Sequence, residues 1–308
     1  MSAARQILIG TAGFQYPDWN GVVYPSDVKK RYGHELAFLA QFFDCCEINT
    51  SFYGHIRPNV GKDWCSRATA VNPGFQFTAK LFQGFTHSPR GVRPSSPFNL
   101  TVSAEDETLA RAGLNSIAGE GRLGALLIQF PVSFKNADDT RDYLFALLEK
   151  FREYPLVLEI RHQSWNDPDI LARLTEAGVG FCNIDQPRLG KSLTGTEYTT
   201  SAVGYVRLHG RNYKEWFQSE SRNDRYNYLY KRPELEKWAE NIERVSERTQ
   251  KTFVVANNHP DGRAAVNALE LKYLLTGIKV KVPETLVHKY PAARDFAEMI
   301  SEPLNFGE

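Results

Sequence analysis

The 308-residue sequence predicts a single α/β domain over residues 1–308, folded as a (β/α)8 barrel. Two observations predict it. Short apolar runs bounded by turn residues or charge recur along the chain, as strands buried on both faces in a parallel sheet do. Between them lie stretches with apolar residues at helical spacing, and about eight alternations in a chain of this length suit the barrel. A doubly wound open sheet is the rival. Its nucleotide-binding versions lose support, because no Gly-x-Gly-x-x-Gly follows the first run and no Gly-x-x-x-x-Gly-Lys-Ser/Thr occurs anywhere.

Taken in order, Ile7–Ile9 is the first strand, followed by a long aromatic loop at about residues 11–32. Leu36, Leu39, Ala40 and Phe43 have helical spacing, and the second strand covers Cys46 to Asn49. A helix is expected near Pro58–Arg67, a third strand over Phe75–Lys80, and a second long loop at about 81–104. Glu105–Ala118 reads as a helix and Leu123–Phe130 as the fourth strand. Asp138 and Asp139 open a helix whose buried stripe is Leu144, Leu147, Leu148 and Phe151. Leu156–Arg161 is the fifth strand, and Pro168–Ala177 is the helix after it. Val179–Ile184 and Ala202–Leu208 are the sixth and seventh strands; a third long loop covers about 210–232, and Pro233 begins a helix, a position proline tolerates. Thr252–Ala256 is the eighth strand, and a last helix through Ala264, Ala268, Leu271 and Leu275 stops at Gly277.

Composition narrows the function. With 42% hydrophobic residues and no composition break, one large core is expected. Lys and Arg total 37 against 36 Asp and Glu, which argues against a surface that grips nucleic acid throughout. The four cysteines, Cys45, Cys46, Cys65 and Cys182, lack a Cys-x-x-Cys pattern and read as buried thiols. The amino terminus enters the first strand without a long apolar segment, so a soluble, cytoplasmic chain without a membrane partner is expected.

Barrels of this kind gather functional groups at the carboxyl ends of their strands. There stand Thr11, Glu47 with Asn49, Lys80, Gln129, Glu159 with Arg161, Asn183 with Asp185, Arg207 with His209, and Asn257 with His259. Side chains two apart on a strand share a face, so these groups are expected to converge on one cavity. The catalytic candidates are Glu47, Lys80, Glu159, Asp185 and His209. Candidates for binding substrate are Thr11, Tyr16, Trp19, Asn49, Tyr53, His87, Gln129, Arg161, His162, Arg207, Arg211, Asn257 and Asn258. A packing layer of ion pairs is the bland alternative.

No metal or other cofactor is expected. Glu47, Glu159, Asp185 and His209 would be the ligands of a divalent cation if one bound, but Lys80, Arg161 and Arg207 favour an anionic ligand instead. Gly210-Arg211 and Gly262-Arg263 read either as a phosphate seat or as turns with solvent-facing arginines. The loop aromatics Phe14, Tyr16, Trp19, Tyr53, Trp165, Tyr213, Trp216 and Tyr226 either stack on a ligand or hold the loops in order.

These motifs resemble the YecE-like family, domain of unknown function 72. The matching segments include Gly10-Thr11-Ala12-Gly13-Phe14, Glu47-Ile48-Asn49-Thr50-Ser51-Phe52-Tyr53, Gln129-Phe130-Pro131, Glu159-Ile160-Arg161-His162, Tyr205-Val206-Arg207-Leu208-His209-Gly210 and Asn257-Asn258-His259. The resemblance implies a TIM-barrel fold and delivers no reaction. Many relatives carry an arginine directly after Ser-Phe-Tyr, whereas here Gly54-His55-Ile56 precedes Arg57.

Three functions are expected in turn. The first is an enzyme of hydrolytic or isomerising acid/base chemistry on a small, anionic or phosphorylated substrate, with Glu159 or Glu47 as base, His209 or Lys80 as acid, and Arg161 and Arg207 as anchors. The second is a nucleic-acid barrel using Arg57, Arg90, Arg93, Arg211, Arg222 and Arg225 on phosphates. The third is a ligand-binding module without catalysis.

Overall fold

A computed structural model describes residues 5–87, 102–188, 190–213 and 224–299. Eight strands form one closed parallel barrel: β1 (Gln6–Ala12), β2 (Cys45–Ile48), β3 (Gln76–Lys80), β4 (Leu123–Gln129), β5 (Leu156–Glu159), β6 (Gly180–Asp185), β7 (Val203–Leu208) and β8 (Lys251–Ala256). Closure is made by β1 pairing with β8 from Gln6↔Lys251 to Thr11↔Ala256. The open-sheet rival is thereby excluded.

Among the described residues the α-helices are α1 (Val28–Tyr32), α2 (Glu35–Leu39), α3 (Pro58–Val71), α4 (Ala104–Ala118), α5 (Asp138–Lys150), α6 (Pro168–Glu176), α7 (Arg232–Ser246), α8 (Arg263–Thr276) and α9 (Glu284–Lys289). Their ends follow local chemistry. Ser103 and Asp106 satisfy each other's backbone amides at the start of α4, and α8 ends on Gly277 at φ 67°, a left-handed conformation that suits glycine. Beyond α8, β9 (Val280–Val282) and β10 (Ala297–Met299) pair in parallel around α9.

The regular alternation of strand and helix fails once. Between β6 and β7 the described residues of 186–202 contain no helix. Asn183 explains what holds this connection instead: its Oδ1 accepts from Thr196 Oγ1 at 2.9 Å and from the Tyr198 amide at 2.8 Å, and its Nδ2 donates to Tyr198 O at 3.0 Å. Thr200 Oγ1 adds a bond to Val179 O at 2.6 Å.

Strand alternation divides the core in two. Cys45, Ala125, Leu127, Val157, Cys182, Ile184, Tyr205, Phe253 and Val255 pack together inside the barrel. A larger cluster, including Trp19, Phe43, Trp165 and Trp238, fills the layer between strands and helices. All four cysteines are buried and unbridged. Among the described residues no helix is long and apolar enough to cross a membrane.

Candidate functional site

Directly above the apolar interior lies a layer of charge. Glu47 on β2, Glu159 on β5 and Arg207 on β7 have relative exposures of 0, 0 and 1%. Arg207 is placed between the two carboxylates: Nη2 meets Glu47 Oε1 at 2.7 Å, and Nη1 bonds Glu159 Oε2. Arg161 takes the remaining Glu159 oxygen through Nε at 2.8 Å and Nη2 at 2.7 Å. Tyr205 Oη donates to Glu47 Oε2 at 2.9 Å and lies 2.7 Å from Thr78 Oγ1. Each buried ion here costs several kcal/mol of desolvation, roughly, unless paired. Two carboxylates and two guanidiniums offset one another.

Burial acts to raise the Glu159 pKa, but Arg207 and Arg161 overcome it and hold the carboxyl well below the usual range. His209, fully buried, lies with Nδ1 2.9 Å from Asn257 Nδ2, and with Nε2 3.6 Å from Glu159 Oε1 and 3.5 Å from Arg161 Nη2. Burial depresses its pKa to about 3, opposed by Glu159 and reinforced by Arg207, so the imidazole is neutral near pH 7.

Lys80 is the contrasting cation. It sits at the carboxyl end of β3 with Nζ 4.0 Å from the centre of the Phe52 ring. Among the described residues Nζ has no carboxylate within ion-pair distance, since Glu47 and Glu159 are taken by arginines. Burial, together with the nearby charge of Arg207, lowers its pKa to about 7, against the opposing pull of the two glutamates.

Over this layer opens a cavity of about 530 Å³. Lys80, Gln129, Arg207 and Asn257 reach it from the strands, and Asn49, Tyr53, His87, Tyr226 and His259 from the loops. Tyr16 also lines it, stacked on His259 with centroids 4.3 Å apart. Its hydroxyl turns back to donate to Ala12 O. The turn passes through Gly13 at φ 85°, where a Cβ would lie 2.7 Å from that hydroxyl. Among the described residues, three buried nitrogens of cavity-lining residues, Arg207 Nε, Arg225 Nε and His259 Nδ1, have no hydrogen-bond partner. Buried unpaired polar atoms in a concave site are where a ligand would supply the missing partner.

Several groups expected at this mouth lie elsewhere. Asp185 faces outward, because Ile184 shares the inward row with Arg207. Outside the barrel it accepts Arg211 Nε at 2.8 Å and Tyr230 Oη at 2.5 Å, while Arg211 Nη1 meets Glu234 of α7 at 2.9 Å. Asn183, two residues earlier on β6, is outward too and holds the β6–β7 connection. Thr11 is also outward, its hydroxyl bonded to Gly13 O at 2.9 Å. Trp19 is fully buried with Nε1 on His259 O at 2.8 Å. His162 bonds Ser164 through Nδ1, at 3.1 Å to the amide and 2.8 Å to Oγ. Asn258 Nδ2 reaches Tyr228 O at 2.8 Å and Asn267 Oδ1 at 2.9 Å. Arg161 serves Glu159 from beside the cavity.

The four groups considered for a cation do not assemble, with Asp185 outward and both glutamates occupied. Among the described residues no cluster of three such ligands occurs. The turn before α8 also differs from an anion seat: the Gly262 amide is bonded to His259 O at 3.2 Å, and Arg263 to Asp261 at 2.8 Å. Of the loop aromatics, Trp19 and Trp165 are packing groups, while Phe14, largely buried, contributes to the cavity wall. Arg57 is exposed. Trp216, Arg90, Arg93 and Arg222 lie outside the described residues. Tyr205 and Phe52 join the site in addition to the residues expected from the sequence; Tyr205 is two positions before Arg207, and the alternation gives its face.

Fold and site together define a parallel barrel whose carboxyl-terminal mouth holds a buried ion network beneath an open, cation-lined cavity. The chain belongs to the DUF72 family, proteins of unknown function, whose model matches residues 8–290. A DUF72 family protein from Thermotoga maritima is 31% identical, with 88% of this chain and 99% of that one aligned at a TM-score of 0.72. Another from Enterococcus faecalis is 22% identical, with 88% and 95% aligned at 0.71. No curated protein matches the chain.

Proposed function

We propose that this DUF72 barrel is an enzyme that carries out isomerising or hydrolytic acid/base chemistry on a small anionic substrate. The observation that carries the reading is Lys80: a buried amine at a strand end, facing a cavity, with no carboxylate to hold its proton and Arg207 nearby to discourage it. A lysine that titrates near the working pH serves as base or acid. Arg207 Nε and Arg225 Nε offer unfilled donors to a carboxylate or phosphate. In this reading Glu47 and Glu159 orient Arg207 rather than abstract the proton.

The test is a turnover screen of phosphorylated and carboxylated small molecules with the wild-type chain and Lys80→Met. A substrate whose turnover falls about 10²–10⁴-fold in the variant supports the reading. A substrate turned over equally well by both would refute it.

A further inference from the structure

Resting on that reading of the mouth as a small-anion site, we infer that Lys80 is a nucleophile that condenses with the carbonyl carbon of an anionic aldehyde or ketone. Three features carry this beyond proton transfer. The amine lies on the face of Phe52, 4.0 Å from the ring centre, a water-poor bed that slows hydrolysis of an imine. Arg207 and Arg161 keep their charges at any physiological pH, so the amine is the cation of the layer that gives up its proton and frees its lone pair. The charges of the buried layer also balance in one way, the cavity-lining Arg225 and Asp18 adding one charge of each sign outside it. With Lys80 neutral, Glu47 and Glu159 cancel Arg161 and Arg207. An iminium on Lys80 adds one positive charge, which a carboxylate or phosphate on the same substrate, held at Arg207 Nε and Arg225 Nε, would neutralise. A neutral carbonyl compound would leave that charge uncompensated.

In the step, the Nζ lone pair forms a bond to the carbonyl carbon, and the carbonyl oxygen takes a proton to give a carbinolamine. The amine then loses a proton, the C–O bond breaks, and the oxygen leaves as water with a second proton drawn from solvent. Overall, amine, carbonyl and one proton give the protonated imine and water. The imine draws electrons from the adjacent carbon, whose proton becomes acidic, and this is the isomerising branch of the proposed activity.

The test treats the full chain with glyceraldehyde 3-phosphate, and separately with glyceraldehyde, in the presence of cyanoborohydride, and maps the reduced adducts by peptide mass. Thermal melting with 2-phosphoglycolate, an anion without a reactive carbonyl, is run in parallel. The expected result is an adduct on Lys80 that forms about tenfold or more faster with the phosphorylated aldehyde. In Lys80→Arg, checked for native circular dichroism, that adduct is lost while labelling of surface lysines persists. Labelling spread over other lysines with Lys80 unmodified would overturn the inference, as would equal rates with the two aldehydes. If 2-phosphoglycolate nonetheless raises the melting temperature of wild type more than that of Lys80→Met, the anion-site reading survives that failure. If it has no effect on either, both fall.

Discussion

The barrel mouth carries two ionic networks, one on each side of the strand wall, and they are built to opposite ends. Outside, Asp185 is saturated by Arg211 and Tyr230, and Glu234 by Arg211 and Tyr228, so every carboxylate is tied to α7 or to the loop before it. Inside, the carboxylates are equally well served, yet Arg207 keeps a free Nε and Lys80 lacks an anionic partner. A closed network fastens elements; one with unused donors on residues that line a cavity is arranged for something that arrives later. Substitutions that separate fastening from binding test this contrast.

The largest effect is expected from Glu159→Gln. Removing one carboxylate charge leaves Arg207 and Arg161 underneutralised in the interior, a change that costs about 3–5 kcal/mol. Urea denaturation measures it, and a loss below 1 kcal/mol, roughly the worth of an exposed pair, would make the inner network dispensable.

Lys80→Met moves stability the other way. The folded pKa of about 7 lies below the unfolded value, so the unfolded chain binds more protons between those two points and wild-type stability rises with pH across that window. Removing the amine is expected to stabilise the fold by roughly 2 kcal/mol below pH 7. The gain fades as pH approaches the unfolded lysine value. Melting curves at several pH values read this out, and a variant less stable than wild type at pH 6 would contradict the unpaired amine.

The two carboxylates also predict opposite pH slopes. Glu159 is held low, so its contribution is present above the ordinary carboxylate range and is lost as pH falls through its folded value. Asp185 is raised by burial, which Arg211 and Tyr230 only partly offset, so its contribution is fullest below the unfolded value and declines as pH rises through the folded one. Asp185→Asn is expected to cost about 1–2 kcal/mol, more in acid than at neutrality. The cost of Glu159→Gln should shrink in acid. Parallel slopes for the two variants would dissolve the distinction between the networks.

How much of this was legible in the sequence turns on register. In β5 and β7 the spacing of Glu159 with Arg161 and of Arg207 with His209 gave the shared face, and the structure brings all four into one network. On β6 the same spacing of Asn183 with Asp185 pointed to the same cavity and was misleading. A parallel strand buried on both faces carries apolar residues on each side, so alternation shows which residues share a face but not which face is inward. That is fixed by pairing, here Ile184 with Arg207 and Asp185 with Leu208, and a slip of one residue exchanges the two faces. Thr11 is outward for the same reason, being paired with Cys46 rather than Glu47. The missing β6–β7 helix was hidden likewise, since only the outward Asn183 shows what replaces it.

The smallest and most selective effect belongs to Tyr230→Phe. This hydroxyl donates to Asp185 at 2.5 Å and accepts from the Gly210 amide at 2.8 Å, bridging β6 to the start of the loop after β7. Its loss leaves a buried amide and one carboxylate oxygen short of a partner, although Arg211 still holds Asp185, so about 1 kcal/mol is expected. The cavity nitrogens are untouched by the change, and 2-phosphoglycolate should raise the melting temperature of the variant as much as that of wild type. If instead the ligand response disappears with the hydroxyl, the outer network positions the loop carrying Arg225 and Tyr226, and the strand wall does not separate fastening from binding.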